Sequence, residues 1–278
     1  MANLRLKKYG NRDLIIVPKW NEKALMRLEN MAKIRCWKNI CVSNQLSQKQ
    51  EMINFAKKNK LKIMDGKWLL KNMVDQVVEY VVDWKKELWQ NQEVTILCQV
   101  LDETIMEKIK EICVKVKICN ILTKHSKQYQ KLEEEVYQTN GIILNVSNNV
   151  KRAALKSSVI INFDFSESDL EKCVFSKNAC MIQVSRNIDM DKKKFEGKNI
   201  ISYEIEMPEK YLEFQEKLED FSNKVLYESF IFKHTNYKNI KKELLQDRVK
   251  IVHLQATDKT ILKNGKKNSS KMLDKITI

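Results

Sequence analysis

The stretch from Val94 to Phe165 decides the fold, because strand, turn and helix repeat along it in a regular order. It opens with the apolar strand Val94-Thr95-Ile96-Leu97-Cys98, turns through Gln99-Val100-Leu101-Asp102-Glu103 into a helix, and closes with Ile160-Ile161-Asn162-Phe163-Asp164. Neighbouring parallel strands need a connection of helical length. The pattern therefore predicts an α/β fold with a doubly wound, mostly parallel sheet in residues 91–208.

The turn after the first of these strands has no glycine. A pyrophosphate needs a turn with positive φ, a backbone that it can approach without a Cβ in the way, and a free helix N-terminus. Here Asp102 is well placed to cap the helix, and Glu103 adds a second negative charge to its first turn. Both carboxylates would repel a diphosphate, so we expect the sheet to have lost ordinary dinucleotide binding and to use no cofactor.

The residues before this sheet predict a second, smaller domain and a connector. Residues 1–66 hold three short apolar strands separated by helices, which predicts a small parallel sheet. Residues 67–90 predict one long helix whose apolar stripe, from Leu70 to Leu88, is wide enough to be buried from two sides. This helix is either part of one core, or a connector wedged between the domains or partly in the seam of a homodimer.

The C-terminal residues predict two further parts of the chain. Residues 209–254 hold two helix signals and a last apolar strand, and we expect them to complete the small domain. Residues 255–278 are rich in lysine and poor in large apolar side chains, which is typical of a flexible basic tail.

Composition excludes a membrane protein and a metal centre. The 278 residues contain no apolar run near the roughly 20 residues that span a bilayer, and the N-terminus lacks a secretion signal. Seven cysteines are scattered, with no C-x-x-C pair and no histidines at metal-ligand spacing, so we expect free thiols in a reducing compartment. The chain is therefore predicted to be soluble and cytoplasmic.

The net positive charge indicates attraction to polyanions but does not specify which polyanion binds. Fifty-one basic residues against 36 acidic residues give a net charge of +15. The lysines are spread along many segments, and no recognisable nucleic-acid-binding module is present. Nucleic acid is therefore an alternative partner rather than the leading one.

The whole layout resembles the shikimate dehydrogenase and glutamyl-tRNA reductase group of Rossmann-type oxidoreductases. The likeness rests on Ser158-Val159-Ile160-Ile161-Asn162, which stand where that group has a strand ending in Ile-Ile-Asn beside the nicotinamide. It also rests on residues 120–124, which stand where a basic residue follows the second strand and reads a 2′-phosphate. The motif-level likeness covers roughly residues 90–190, and it implies a Rossmann-like fold and, in an active member, NADP.

The candidate site lies at the C-terminal ends of the strands. In open parallel sheets, ligands bind there, at the point where the strand order reverses. The residues that we expect around this crevice are Cys98, Gln99, Asp102, Thr123, Lys124, His125, Asn162, Asp164 and Arg186. No residue has an evident catalytic role, because no nucleophile elbow, phosphate-binding loop or zinc-binding helix motif is present.

The leading hypothesis is a non-catalytic Rossmann-like binding or regulatory protein that has lost ordinary dinucleotide binding. Its partner would be a small polar ligand without a diphosphate, or another protein. The first alternative is an NADP-dependent oxidoreductase with an atypical phosphate loop. The second is a basic nucleic-acid-binding protein.

Overall fold

The computed structural model describes residues 4–9, 12–17, 21–47, 49–149, 156–188, 195–232, 236–257, 260–261 and 274–277. The strands are β1 Arg5–Tyr9, β2 Arg12–Val17, β3 Asn39–Val42, β4 Lys62–Ile63, β5 Glu93–Leu97, β6 Ile118–Leu122, β7 Asn145–Ser147, β8 Val159–Asn162, β9 Cys180–Gln183, β10 Lys198–Ile205, β11 Ile251–Ala256, β12 Thr260–Ile261 and β13 Asp274–Thr277. The helices are α1 Glu22–Ile34, α2 Asn44–Ser47, α3 Gln50–Lys58, α4 Lys67–Asn72, α5 Val74–Trp84, α6 Glu103–Cys113, α7 Gln130–Asn140, α8 Glu167–Leu170, α9 Leu212–Lys217, α10 Asn223–Ile231 and α11 Tyr237–Gln246.

The larger sheet has the strand order of a Rossmann fold. Its order is β12-β11-β10-β9-β8-β5-β6-β7, and the six strands from β5 to β10 are parallel. Counted from β5, these six run 3-2-1-4-5-6, and the order reverses between β5 and β8. The predicted doubly wound, mostly parallel sheet is confirmed. At its far edge β11 and β12 add two antiparallel strands.

The smaller sheet is mixed, so the prediction of an all-parallel sheet is wrong. Its order is β1-β2-β13-β3-β4, with β1 antiparallel to β2 and β3 parallel to β4. Strand β13 lies between β2 and β3 and is antiparallel to both. It satisfies the backbone groups that a buried strand such as β2 exposes at its free edge.

The C-terminal residues do not follow the predicted division. The predicted strand at 249–254 is β11, and it pairs with β10 of the large sheet rather than joining the small one. Helix α10, by contrast, contacts β3 of the small sheet as well as β10. Within the predicted tail, residues 274–277 form the inserted strand, while 258–259, 262–273 and 278 lie outside the described residues. The exact domain boundaries stay a prediction.

The predicted long helix at 67–90 is two helices that meet at Met73. The side-chain amide of buried Asn72 donates to the carbonyl of Trp68 at 2.8 Å. The N–H of Gln76 then bonds to the carbonyl of Met73, three residues back, instead of four. Because a side chain competes for the helical carbonyls, the helix is interrupted at Met73 although its apolar stripe continues. No described helix is long and apolar enough to cross a membrane.

Helix α5 is buried on both sides, as its wide stripe predicts. Its five valines, from Val74 to Val82, are at most 1% exposed. They belong to one apolar core that continues from Leu14 and Ile16 of β2 to Ile96 of β5. Two smaller cores cover the outer faces of the small and the large sheet. The connector therefore holds both sheets against a common interior.

We expect Val77→Asp to lower the free energy of unfolding by several kcal/mol, because it places an unpaired carboxylate where Val77 has 0% exposure. Urea denaturation measures the change. The control is Val174→Asp, at a loop position that is 46% exposed, and it should change stability by about 0.5 kcal/mol or less. Equal effects of the two substitutions would contradict the burial of α5.

Helix α3 ends at a lysine in a conformation that favours glycine. Lys60 has a φ of 55°, its N–H bonds to the carbonyl of Lys57, and the N–H of Leu61 bonds to the carbonyl of Ala56 at 2.8 Å. These two bonds define the common left-handed helix terminus, in which a Cβ is unfavourable.

We therefore expect Lys60→Gly to raise the free energy of unfolding by about 0.5 to 1 kcal/mol. The paired variant Lys57→Gly, inside the same helix, should lower it by about 1 kcal/mol, because glycine is a poor helix former. Chemical denaturation of both variants tests the two opposite signs. A loss of stability in Lys60→Gly would show that the lysine side chain makes a larger contribution than the backbone strain.

Candidate functional site

The strand order places the crevice between the loops that follow β5 and β8. These strands are direct neighbours, and Leu97 pairs with Asn162 at the end of the ladder. The loop from Cys98 to Asp102 therefore lies beside the loop that contains Asp164. This is the position at which doubly wound sheets bind their ligands.

The carboxylate of Asp164 occupies the loop in which a dinucleotide-binding protein carries its glycines. Its two oxygens accept the backbone N–H groups of Gln99, at 2.7 Å, and of Val100, at 2.8 Å. In a Rossmann sheet the N–H groups of this turn point towards the pyrophosphate. Here a fixed carboxylate of the same chain holds them.

Asp102 closes the helix that follows. Its side chain accepts the N–H of Ile105 at 3.0 Å, which confirms the predicted N-cap of α6. Its second oxygen forms an ion pair with the ammonium of Lys71 on α4. One of the free N–H groups at this helix N-terminus is thus satisfied by a side chain whose own charge is balanced by Lys71.

A hydrogen bond joins the loop after β6 to the loop after β5. The side-chain oxygen of Gln99 accepts the backbone N–H of Lys124 at 2.8 Å. The ammonium of Lys124 forms an ion pair with Asp169 of α8, which holds the pKa of that carboxyl below its usual value. Lys124, where the resemblance implies a residue that binds a 2′-phosphate, is therefore engaged by a carboxylate of its own chain.

Asn162 faces the interior of the protein, not the crevice. It is 3% exposed, its oxygen accepts the N–H of Phe165 at 2.9 Å, and its amide donates to the side chain of Gln183 at 2.8 Å. Gln183 in turn donates to Asn199, whose amide donates to the carbonyl of Ile188 at 2.7 Å. This buried chain of amides joins β8, β9 and β10. It has a structural role that an Ile-Ile-Asn motif does not reveal.

Cys98 is buried beneath the loop and is not a reactive thiol. Burial raises the pKa of its thiol to about 12, so the thiolate is scarce at neutral pH. Its carbonyl accepts the hydroxyl of Tyr129 at 2.9 Å. Tyr129, which has 0% exposure, supports this loop from below, although no sequence motif singles it out.

The remaining predicted residues lie at the edge without converging. The hydroxyl of Thr123 accepts the backbone N–H of His125 at 3.1 Å, which forms a local turn. His125 and Arg186 are exposed, at the ends of β6 and β9, which are separated by two strands of the sheet. The structure thus brings Gln99, Asp102 and Asp164 together around one loop but places His125 and Arg186 apart.

Lys67 is a charged residue of this edge that the sequence analysis missed. Its ammonium donates to the carbonyls of Gln183, at 3.0 Å, and Ile201, at 3.3 Å, and to the side chain of Asn187. Burial lowers its pKa to about 8. Because its three N–H donors all have acceptors, Lys67 joins α4 to the end of β9 and the middle of β10 rather than offering a free amine.

Among the described Asp and Glu residues, Glu228 has the pKa that is shifted furthest from its usual value. It has 0% exposure and lies against the backbone N–H groups of Gly66 and Leu69, at the start of α4, without a hydrogen bond of good geometry. Burial, and the nearby charge of Asp65, raise its pKa to about 8. The group is therefore mostly neutral at pH 7.

The arrangement binds its own backbone and side chains but assembles no acid–base pair. The thiol of Cys98 is protonated, the ammonium of Lys124 is paired, and Asn162 is internal. Among the described residues, no group of three or more His, Cys, Asp or Glu side chains could hold a metal ion. The chemistry that the edge supports is hydrogen bonding and charge pairing.

No protein-family model and no curated protein sequence matches this chain. Among solved structures, it is similar to the A chain of dipicolinate synthase from Bacillus subtilis, with 13% identity and a TM-score of 0.36 over 53% of this chain and 50% of that one. It is also similar to apo D-mandelate dehydrogenase from Rhodotorula graminis, with 6% identity and a TM-score of 0.31 over 51% and 49% of the two chains.

A third similar structure is a D-lactate dehydrogenase from Treponema pallidum, with 10% identity and a TM-score of 0.30 over 60% of this chain and 56% of that one. The similarity spans about half the length of these chains. The predicted distant resemblance to Rossmann-type oxidoreductases is confirmed as a likeness of fold, for which the strand order is the direct evidence.

The raised pKa of Glu228 predicts a pH-dependent stability. Between about pH 4.5 and pH 8 the folded state retains a proton that the unfolded state has lost, so the free energy of unfolding should fall as the pH rises through this window. Glu228→Gln should remove this slope and stabilise the protein by roughly 1 kcal/mol or more at pH 8. Denaturation at pH 5 and pH 8 measures both effects.

The matched control for Glu228→Gln is Glu216→Gln, which replaces an exposed carboxylate. It should keep the wild-type dependence on pH. If Glu228→Gln keeps it too, the buried carboxyl is not the group that titrates.

Proposed function

We propose that this chain is a non-catalytic Rossmann-like binding or regulatory protein that has lost ordinary dinucleotide binding. The observation that carries the proposal is the carboxylate of Asp164 on the N–H groups of Gln99 and Val100. A pyrophosphate at this turn would compete for the same two donors. Two like charges about 4 Å apart repel each other by about 4 kcal/mol near a protein surface.

The helix N-terminus supports the same proposal. Ordinary binding also uses the free N–H groups and the positive partial charge at the start of the helix after β5. Asp102 accepts one of these N–H groups, and Lys71 holds the carboxylate in place. A dinucleotide would have to displace two aspartates at once.

The non-catalytic part of the proposal rests on the state of the polar groups at the edge. An oxidoreductase of the resembling group needs a proton donor or acceptor beside the substrate. Lys124 is paired with Asp169, Lys67 has acceptors for all its donors, and the thiol of Cys98 is protonated. A small polar ligand without a diphosphate, or a protein partner, fits this edge better than a reacting substrate.

A direct test is titration of the wild-type chain with NADP and NAD, followed by tryptophan fluorescence and by calorimetry. We expect no saturable binding in the micromolar range. Saturable micromolar binding of NADP would overturn the proposal and favour the alternative, an NADP-dependent oxidoreductase with an atypical loop.

Substitution of Asp164 tests the mechanism behind the proposal. Asp164→Ala should lower the free energy of unfolding by about 2 kcal/mol, because two backbone donors lose a charged acceptor. Inorganic pyrophosphate at millimolar concentration should then raise the melting temperature of this variant but not that of the wild type. The pyrophosphate would then occupy the place of the lost Asp164 carboxylate on the two backbone N–H groups.

The matched control for Asp164→Ala is Glu134→Ala, which removes an exposed carboxylate on α7 and changes the net charge equally. It should remain close to wild type in stability and in its response to pyrophosphate. Equal rescue of both variants would mean that pyrophosphate acts through general charge. No loss of stability in Asp164→Ala would mean that the carboxylate does not hold the loop.

A further inference from the structure

The N-terminal edge of the large sheet, opposite the crevice, carries an open groove. Its volume is about 540 Å³, and it is formed by residues 86–88, 91–93, 117–118, 156 and 158. These residues lie after α5 and directly before or at the starts of β5, β6 and β8. We call this surface the N-edge groove.

The N-edge groove carries lysines that the protein does not neutralise. Lys86, Lys117 and Lys156 line it and are exposed, and their ammonium groups have no hydrogen bond or ion pair with another described residue. Two carboxylates, Glu87 and Glu93, also line it, and Glu93 accepts the side-chain amide of Asn120 at 3.0 Å. The positive charge of this surface is thus left available to a partner.

Two tryptophans are close in sequence to residues that line the groove, and each has a lysine over its ring, although Trp89 is partly buried against the core. Trp84, at the end of α5, is 38% exposed, and the ammonium of Lys198 lies 3.6 Å from its centroid. Trp89 opens the short 3-10 turn that lines the groove, and the ammonium of Lys115 lies 5.2 Å from its centroid. Lysines and tryptophans are therefore in contact at two places near this edge.

The fold arranges these groups in a row. Lys198 begins β10, Lys156 precedes β8 and Lys117 precedes β6, and the strands from β10 to β6 are successive neighbours in the order β10-β9-β8-β5-β6. Four strand spacings of about 4.8 Å give a row about 19 Å long. A row of this length matches an extended polymer better than a single small anion.

We infer that the N-edge groove binds single-stranded nucleic acid. The unpaired lysines supply contacts to successive phosphates, and the exposed indole of Trp84 supplies an aromatic ring on which an unpaired base stacks. A duplex keeps its bases stacked internally and gains nothing from the indoles. Helix C-termini also favour cations at this edge, which accounts for the lysines. It does not account for the exposed indole of Trp84 beside them. The inference concerns the opposite edge from the crevice and does not depend on the proposed function.

The first experiment measures the binding of fluorescein-labelled oligo-dT and oligo-rU, each about 12 nucleotides long, by fluorescence anisotropy with the full chain. The joint substitutions Lys86→Ala, Lys117→Ala and Lys156→Ala should weaken binding at least about 10-fold and reduce the slope of log affinity against log salt by about 2. The comparison of the two oligomers shows whether the sugar matters.

The matched control joins Lys57→Ala, Lys131→Ala and Lys172→Ala, which remove the same charge from exposed positions away from this edge. It should weaken binding by about 3-fold or less, since only long-range attraction is lost. Equal losses in the two triple variants would overturn the inference, because binding would then follow net charge and not the groove.

The second experiment tests the stacking contribution. Trp84→Ala should weaken oligonucleotide binding about 5-fold or more, while Trp84→Phe, which keeps an aromatic face, should stay within about 2-fold of wild type. Neither should change the binding of heparin, a polyanion without bases. If heparin and the oligonucleotides respond alike, or if poly-glutamate competes equally well, the groove is a general anion surface and the inference fails.

Discussion

A carboxylate held between two backbone N–H groups is the constraint from which the ligand edge of this sheet follows. In a dinucleotide-binding sheet the backbone N–H groups of the turn after the first strand have no acceptor within the protein. The pyrophosphate of the cofactor is their acceptor. Here Asp164 supplies that anion to Gln99 and Val100, and Asp102 does the same for the start of α6. A turn that is satisfied in this way needs neither glycine nor ligand to keep its shape.

The cations of the edge complete the same arrangement. Lys71 pairs with Asp102, and Lys124 pairs with Asp169. Exposed ion pairs of this kind contribute little to stability, typically about 1 kcal/mol or less. Their consequence is geometric, because one joins α4 to the start of α6 and the other joins the loop after β6 to α8. Lys71, Asp102, Lys124 and Asp169 therefore each have a charged partner within the chain.

The sequence predicts those features that depend on neighbouring residues. The strand and helix repeats predict the Rossmann-like sheet, and Asp102 is the predicted N-cap of α6. It misses features that depend on distant partners. The break at Met73 leaves the apolar stripe unchanged, and the place of β13 depends on the free edges of β2 and β3. Its position in the motif likewise predicts Asn162 as a crevice residue. In the structure its side chain instead hydrogen-bonds to Gln183, which hydrogen-bonds to Asn199, inside the protein.

The two edges of the large sheet differ in how their lysines are used, and this difference matters more than the net charge of +15. At the C-terminal edge helix N-termini attract carboxylates, and these in turn hold lysines such as Lys71 in pairs. At the N-terminal edge helix C-termini favour cations directly, so Lys86 and Lys117 need no carboxylate to be tolerated. A paired lysine contributes little field at a distance, while an unpaired one attracts an anion over about a Debye length, roughly 8 Å at physiological salt. The paired Lys71 and Lys124 thus lie at the edge at which Rossmann sheets bind their cofactors, whereas the unpaired Lys86 and Lys117 lie at the opposite edge.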